Sequence, residues 1–227
     1  MKFTLKSIKK SCKNVRNRFK AKGKIKYFCI GRNKTGTTSL KKAFEQLGFA
    51  VGDQRGAELL YLDHYFLGNF APIIEYCLSA QVFQDMPFSA PGTFKHLDNA
   101  YPGSKFILTV RDDSEQWYRS ITRFHAKKYG SNGFLPTTEQ LHQANYIRKG
   151  APYNIVRLHG TPDHDPYNKE IMIAHYEKHN RDVEKYFIGR ESDLLVINIA
   201  QPNDYRKFIE FLGIESPYIE FPWENKT

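Results

Sequence analysis

Cysteine is scarce in this chain, and long apolar runs are missing. The three cysteines, Cys12, Cys29 and Cys77, show no metal-binding spacing and are too few for a disulfide framework, so we expect a reducing, cytoplasmic location. No segment approaches the roughly 20 apolar residues that a transmembrane helix needs. No apolar run follows the first basic residues as it would in a secretory signal. The sequence therefore favours a protein without a membrane span, a leader or a disulfide scaffold.

Acidic residues are missing from the first 24 positions, which hold ten lysines and arginines. In the rest of the chain basic and acidic residues balance, so the whole net charge of +10 belongs to this segment. We predict a basic N-terminal arm over residues 1–24 and a single globular domain over residues 25–227. The arm also contains apolar residues, so contact with an anionic membrane surface or a polyanion and a solvated arm both stay open. We expect no specific nucleic-acid partner.

The stretch from Gly31 to Leu40 is rich in glycine and hydroxyl residues, and it lies between an apolar β-prone run and a segment with helical apolar spacing. A strand, loop and helix in this order direct backbone amides and the positive end of the helix dipole at one point. The stretch therefore predicts an anion-binding loop. The lysine of a nucleotide triphosphatase loop is missing, because Thr37 occupies its place and Lys34 lies earlier. An ordinary ATPase is disfavoured.

The run from Lys34 to Ser39 resembles the 5′-phosphosulfate loop of the sulfotransferases, with Asn33 where that family usually has proline. The resemblance implies 3′-phosphoadenylyl sulfate (PAPS) as donor and PAP as product. It also implies a 3′-phosphate site made by an arginine at a strand end and a serine about two helical turns later. Arg111 and Ser120 fit that pattern with one extra residue between them, and we expect Ser114 to cap the helix.

A general base must accept the proton of the attacking group. Asp85 follows a short β-prone run and precedes Pro87, which resembles the position of the catalytic histidine in cytosolic sulfotransferases. We predict Asp85 as the base, with Asp53, Glu58 or a histidine as alternatives. Lys34 is predicted to act in catalysis as well, by stabilising charge on the leaving group.

His175 and His179 lie four residues apart on a predicted helix, a spacing that zinc sites use. A third ligand would have to come from Asp163, His164 or Asp165, none at a fixed spacing. Glu177 lies one place too late for the metalloprotease signature. We assign no metal site.

Alternating strand and helix patterns predict an α/β fold: a three-layer α/β/α sandwich with a central parallel sheet, of the type that contains a phosphate-binding loop. We expect strands near residues 25–30, 81–85, 105–110 and 194–198 and helices near residues 138–149, 168–186 and 205–212. The segment Gly130–Pro166 is expected to contact the acceptor. The tail from Phe221 to Lys226 resembles the closing motif of the broad sulfotransferase branch.

The resemblance implies a PAPS-dependent sulfotransferase that acts on a small-molecule or glycan acceptor, through a hydroxyl or an amine. A phosphotransferase with ATP and Mg²⁺ and a non-catalytic anion- or membrane-binding protein are the alternatives. The predicted donor-binding residues are Lys34, Thr35, Gly36, Thr37, Thr38, Ser39, Arg111 and Ser120.

Overall fold

A computed structural model describes residues 15–223 of the chain. Within that range a central sheet has four parallel strands in the order β2-β1-β3-β4. The strands are β1 (Tyr27–Cys29), β2 (Val82–Gln84), β3 (Lys105–Thr109) and β4 (Leu194–Ile197). The predicted strands are confirmed, each somewhat shorter than its apolar run.

Helices separate and surround these strands. They are α1 (Thr37–Gln46), α2 (Gln54–His64), α3 (Ala71–Tyr76), α4 (Thr93–Ala100), α5 (Ser114–Tyr129), α6 (Thr138–Gln143), α7 (Ala151–Val156), α8 (Lys169–Tyr186) and α9 (Asp204–Leu212). The helix expected over residues 138–149 was predicted too long. It ends at Gln143, and a short antiparallel bridge joins Asn145 to Lys149.

The two faces of the sheet carry separate apolar cores, because neighbouring residues of a strand point to opposite sides. On one face Phe28 and Phe106 pack against α2, α3, α4 and α8. On the other, Cys29 and Ile107 pack against α1 and α9. Strands β1, β2 and β3 are thus covered on both sides, which explains their continuous apolar runs in the sequence, whereas Val196 of the edge strand β4 is partly exposed. The predicted three-layer α/β sandwich is confirmed.

The end of the described chain closes the second core. Phe221 is buried, and its ring lies 5.0 Å from that of Tyr205 and 5.4 Å from that of Phe208 in α9. The last part of the predicted tail motif lies outside the described residues, as do the first 14 positions of the basic arm.

Candidate active site

The loop between β1 and α1 turns tightly at the carboxyl edge of the sheet. Gly36, with φ 98°, directly precedes α1, and a Cβ there would lie 2.0 Å from Ile199 Cδ1. A Cβ on Gly31 would lie 2.0 Å from the Thr109 hydroxyl of β3. Both the backbone angle and the space at Gly36 therefore require glycine. Lys34 also adopts a left-handed conformation, with φ 72°.

A cavity of about 690 Å³ lies in front of this loop. Lys34, Gly36, Thr37 and Thr38 contribute to its wall. The first turn of α1 carries no acidic residue, so no carboxylate of that turn offsets the positive end of the helix dipole. The cavity therefore meets a helix N-terminus suited to an anion.

Thr35 is directed away from the cavity. Its hydroxyl is 2.6 Å from the Thr109 hydroxyl and donates to the Arg32 carbonyl at 2.6 Å. Ser39 is also buried. The predicted donor-binding loop therefore has two parts: Lys34 and the residues around the start of α1 face the cavity, whereas the Thr35 side chain ties the loop to β3. Donor binding by this set stays a prediction.

Lys34 lies among other cations. Its Nζ is 4.3 Å from the centre of the Phe124 ring. Burial lowers the pKa of its ammonium, and the charges of Arg111 and Lys128 lower it further. An anion bound nearby would offset this repulsion and favour the protonated lysine. The Lys34 carbonyl accepts a hydrogen bond from Arg111 Nε at 2.7 Å, so the lysine and arginine segments are linked directly.

Arg111 follows β3 and lines a second, smaller pocket as well as the main cavity. This pocket of about 180 Å³ is formed by Arg111, Gln116, Arg119, Ser120 and Arg123. The Ser120 hydroxyl oxygen is buried and has no hydrogen-bond partner among residues 15–223. Three guanidinium groups and an unpartnered hydroxyl are a donor set that suits a phosphate.

Ser114, the other serine of this segment, is engaged elsewhere. Its hydroxyl donates to Glu177 Oε1 at 2.8 Å. The expectation that Ser114 caps α5 is wrong, because Asp113 is the cap and accepts from the Gln116 amide. A carboxylate one residue earlier satisfies the same free amide. The structure therefore leaves Ser120 as the serine that lines the pocket.

Asp85 lies directly after β2, in a left-handed conformation with φ 65°. Asn33 Nδ2 donates to its Oδ1 at 2.7 Å, and Gln54 Nε2 donates to its Oδ2 at 3.0 Å. Burial raises the pKa of the carboxyl to about 6, and the negative charge of Glu58 contributes to that rise. A carboxylate with a pKa near 6 is ionised at neutral pH and still basic enough to accept a proton.

The two alternative carboxylates bind other groups. Glu58 Oε1 accepts from Gln54 at 3.0 Å and from the Tyr146 hydroxyl at 2.9 Å, while Oε2 accepts from Arg55 at 3.0 Å. Asp53 caps α2 by accepting from the Gly56 amide. Among the described groups a single donor reaches Asp85 Oδ2, which leaves it room for a second hydrogen bond. Glu58 Oε2 likewise accepts from Arg55 alone among residues 15–223, so the preference for Asp85 rests on its position: it lines the cavity and accepts a hydrogen bond from Asn33 of the loop that holds Lys34.

His125 is the histidine in the cavity wall. Its Nδ1 is 2.9 Å from the Tyr167 hydroxyl. Burial lowers its pKa to about 3, and the charges of Lys128 and Lys34 act in the same direction. The imidazole is therefore neutral at physiological pH and a much weaker base than an ordinary histidine.

The histidine pair on α8 lies away from this cavity. His179 Nε2 is 2.9 Å from the Ile30 carbonyl, and His175 lies beside His159, with ring centres 5.0 Å apart. Within the described part of the chain no three histidine, cysteine, aspartate or glutamate residues form a group that could hold a metal ion. The zinc hypothesis therefore has no third ligand.

Several cavity residues were not anticipated. Arg119, Arg123 and Lys127 are spaced four residues apart along α5, so they share one face of that helix. Arg123 and Lys127, together with Lys128, line the main cavity. The four-residue spacing was a usable signal in the sequence, whereas the direction of this face became clear only once α5 was placed against the sheet.

The middle segment reaches the cavity through Tyr146. The Tyr146 ring centre lies 3.9 Å from Lys128 Nζ and 4.2 Å from the Arg55 guanidinium carbon. Its hydroxyl donates to Glu58, so it connects α2, α5 and the segment between α6 and α7. Ile147 and Ile155 also line the cavity. Acceptor contact by this segment stays a prediction.

Comparison with protein families gives one match. The family model for the sulfotransferase domain matches residues 71–227, more than half of the chain. The chain belongs to the sulfotransferase family. The match includes Asp85, Arg111 and Ser120 and begins after the loop that holds Lys34. A search of curated proteins gave no significant match.

Membership indicates the general chemistry of the protein. A sulfotransferase moves a sulfuryl group, so the protein is assigned to the transferases. The two pockets at the ends of β1 and β3 are the candidate site for this transfer. Its donor and its acceptor require further argument.

Proposed function

We propose that this sulfotransferase uses PAPS as donor and transfers the sulfuryl group to a hydroxyl or amine of a small-molecule or glycan acceptor. The observation that carries the proposal is the position of Arg111. It lines both pockets, and its Nε holds the carbonyl of Lys34. PAPS carries two separate anionic groups, a 5′-phosphosulfate and a 3′-phosphate, and two joined anion pockets match that division.

The residues present suit this donor. The pocket beside Arg111 offers the unpartnered Ser120 hydroxyl and two further arginines to a phosphate. The main cavity offers the Lys34 ammonium and the N-terminus of α1 to a second anion. PAPS supplies an activated sulfuryl group, and these residues hold its anionic ends at a fixed separation.

Asp85 then accepts the proton of the acceptor. As the acceptor oxygen or nitrogen bonds to sulfur, its proton moves to the free position on Asp85 Oδ2. The bond between sulfur and the bridging oxygen breaks, and Lys34 with the amides at the start of α1 stabilises the charge that develops on the departing phosphate.

In nucleotide triphosphatases an aspartate at a strand end helps to hold Mg²⁺, and neither acidic residue after β3 takes that role here. Asp112 Oδ1 accepts from Asn198 Nδ2 at 2.6 Å and from Gln201 Nε2 at 2.9 Å, and Asp113 caps α5. Arg111, just after β3, stands where a triphosphatase would have that aspartate. These contacts favour an anionic donor held by cations over a nucleotide held through a bridging Mg²⁺.

Titration calorimetry with PAP and with ATP, each with and without Mg²⁺, tests the donor. We expect PAP to bind without Mg²⁺ and to bind more tightly than ATP. Lys34→Ala should weaken PAP binding, whereas Lys41→Ala, on the same loop-helix unit, should leave it unchanged. Tighter Mg²⁺-dependent binding of ATP would overturn the proposal in favour of a kinase.

Transfer itself is tested with radiolabelled PAPS and a panel of phenols, sugars and amines. We expect labelled sulfate on at least one acceptor class, with the label lost in Asp85→Asn. Binding of PAP without transfer to any acceptor or to water would contradict an enzymatic role and would favour a non-catalytic anion-binding protein.

A further inference from the structure

The amino ends of the strands carry a surface of different character from the cleft. Residues 15–21 are helical and lead through Lys26 into β1, so they lie at the edge of the sheet opposite the anion pockets. Asn17 Nδ2 donates to the Val51 carbonyl at 3.1 Å, and Ala21 is buried. These contacts fasten the helical segment to the domain and fix which of its sides faces outward.

The outward side of this segment is apolar. Phe19 is 77% exposed and Val15, one turn earlier, is 54% exposed. Both line a groove of about 1150 Å³ that continues over Leu78, Tyr101 and Pro102. Exposed apolar side chains that adjoin an open groove are more than the scattered surface residues of an ordinary monomer.

Basic side chains surround these apolar groups. Pairs four residues apart, Arg16 with Lys20 and Arg18 with Lys22, lie on the flanks of the helical segment and its end, and Lys24 follows. None of these five takes part in an ion pair between described residues. The first acidic residue of the sequence is Glu45, and Glu75 is the acidic group near the groove, beside Leu78.

We propose that this surface, which we call the amino-end surface, docks on an anionic lipid bilayer. It comprises the exposed apolar residues and the cations around them: Val15, Arg16, Arg18, Phe19, Lys20, Lys22, Lys24 and Leu78. A bilayer provides anionic headgroups for the lysines and arginines and an acyl boundary for Phe19 and Val15. A nucleic acid would match the charges but offers no such boundary to the aliphatic Val15 and Leu78.

The attachment would be peripheral. Among the described helices none is long and apolar enough to cross a membrane. Because the sheet is parallel, the cleft at the carboxyl ends of its strands lies on the far side of the domain from the amino-end surface. The docked protein therefore holds its cleft away from the lipid, open to acceptors from the aqueous side.

Vesicle co-sedimentation of the full chain tests this surface. The probes are phosphatidylcholine vesicles with and without phosphatidylserine, each at low and high salt. We expect binding to the phosphatidylserine vesicles at low salt and its loss at high salt. Phe19→Asp should weaken it by about tenfold or more. Phe134→Asp is the matched control, since Phe134 is 74% exposed and follows α5 on the cleft side of the domain, and it should bind vesicles as the wild type does.

Charge is tested by Lys20→Glu against Lys149→Glu, an exposed lysine that follows the cleft-lining residues Tyr146 and Ile147. The first should weaken vesicle binding and the second should not. PAP titration of each variant checks that the domain is intact and is independent of lipid. Four results would each overturn the proposal. They are unchanged vesicle binding in Phe19→Asp, equal binding to neutral vesicles, no vesicle binding at all, and tighter binding to RNA that Phe19→Asp does not change.

Discussion

The two halves of the cleft, which we call the donor half and the acceptor half after the ligands proposed for them, are built differently. The donor half consists of two strand-to-helix connections, each continuous in sequence: the loop with Lys34 after β1 and the segment from Arg111 to Ser120 after β3. The acceptor half collects single residues from distant places: Glu58 from α2, Asp85 after β2 and Tyr146 from the middle segment. The donor half presents cations, whereas the acceptor half holds two carboxylates beside an aromatic ring.

This contrast follows from what each half must recognise. Phosphate and sulfate groups are recognised by amides, helix termini and cations, which a short continuous motif can supply. A base must instead be held at one point at a tuned pKa, and here side chains from two separate segments, Gln54 of α2 and Asn33 of the loop after β1, do so. Gln54 Nε2 reaches both Asp85 and Glu58, at 3.0 Å each, and Asn33 ties Asp85 back to the donor loop.

Replacement of the proposed base, Asp85, should give the largest effect on turnover. It should also separate catalysis from donor binding. Asp85→Asn removes the proton acceptor but keeps the shape, so we expect turnover to fall by about 10²- to 10⁴-fold and PAP affinity to change little. Steady-state kinetics and calorimetry on the same preparation measure the two. Asp53→Asn, which keeps a residue able to cap α2, serves as the control and should retain activity. Full turnover in Asp85→Asn would transfer the role to another group.

Arg111→Ala should damage the donor half instead. Removal of a partly buried guanidinium that lines both pockets should weaken PAP binding by about 100-fold, as expected for loss of a charge contact to the ligand. Arg206→Ala, an exposed arginine of α9 paired with Glu210, is the matched control. Calorimetry reports both. PAP affinity that survives Arg111→Ala would mean that the two pockets do not share one ligand.

The sequence carried most of the information on the sheet and the donor half. Buried parallel strands read as short apolar runs, and the anion loop lies between one such run and a helix, so β1, β3 and the Lys34 loop could be placed in advance. The direction of the Thr35 side chain could not be predicted. A hydroxyl in a glycine-rich loop looks like a ligand in sequence, but its bond to Thr109 depends on how β3 pairs with β1.

The acceptor half was less accessible to sequence reasoning. Glu58 and Asp85 were named as alternatives, and nothing in the chain indicated that Gln54 would bridge them. Tyr146 was missed because its segment was assigned to a helix over residues 138–149, whereas α6 ends at Gln143 and leaves the tyrosine in a loop. Such contacts arise from tertiary packing between segments far apart in the chain, which local patterns do not encode.

The two serines of α5 sharpen the donor half further. Ser120→Ala removes an unpartnered hydroxyl from the small pocket and should weaken PAP binding by roughly tenfold, the value of one hydrogen bond to a charged group. Ser114→Ala breaks a hydrogen bond to Glu177 on the adjoining helix and should leave PAP affinity unchanged. If Ser114→Ala weakened PAP binding and Ser120→Ala did not, the 3′-phosphate would have to lie at the start of α5.

The pH dependence tests the tuning of the acceptor half, with the smallest expected change. Because catalysis needs ionised Asp85, kcat/KM should fall below about pH 6, the pKa to which burial and Glu58 raise this carboxyl. The same shift makes the protonated carboxyl favour folding at low pH, a contribution lost as the pH rises through about 6.

Glu58→Gln removes the neighbouring charge, so the acidic limb of the kcat/KM profile should move to lower pH. Asn33→Ala removes a donor to the ionised form, so the limb should move to higher pH. If the acidic limb of the kcat/KM profile kept its position in both variants, Asp85 would not be the group that titrates.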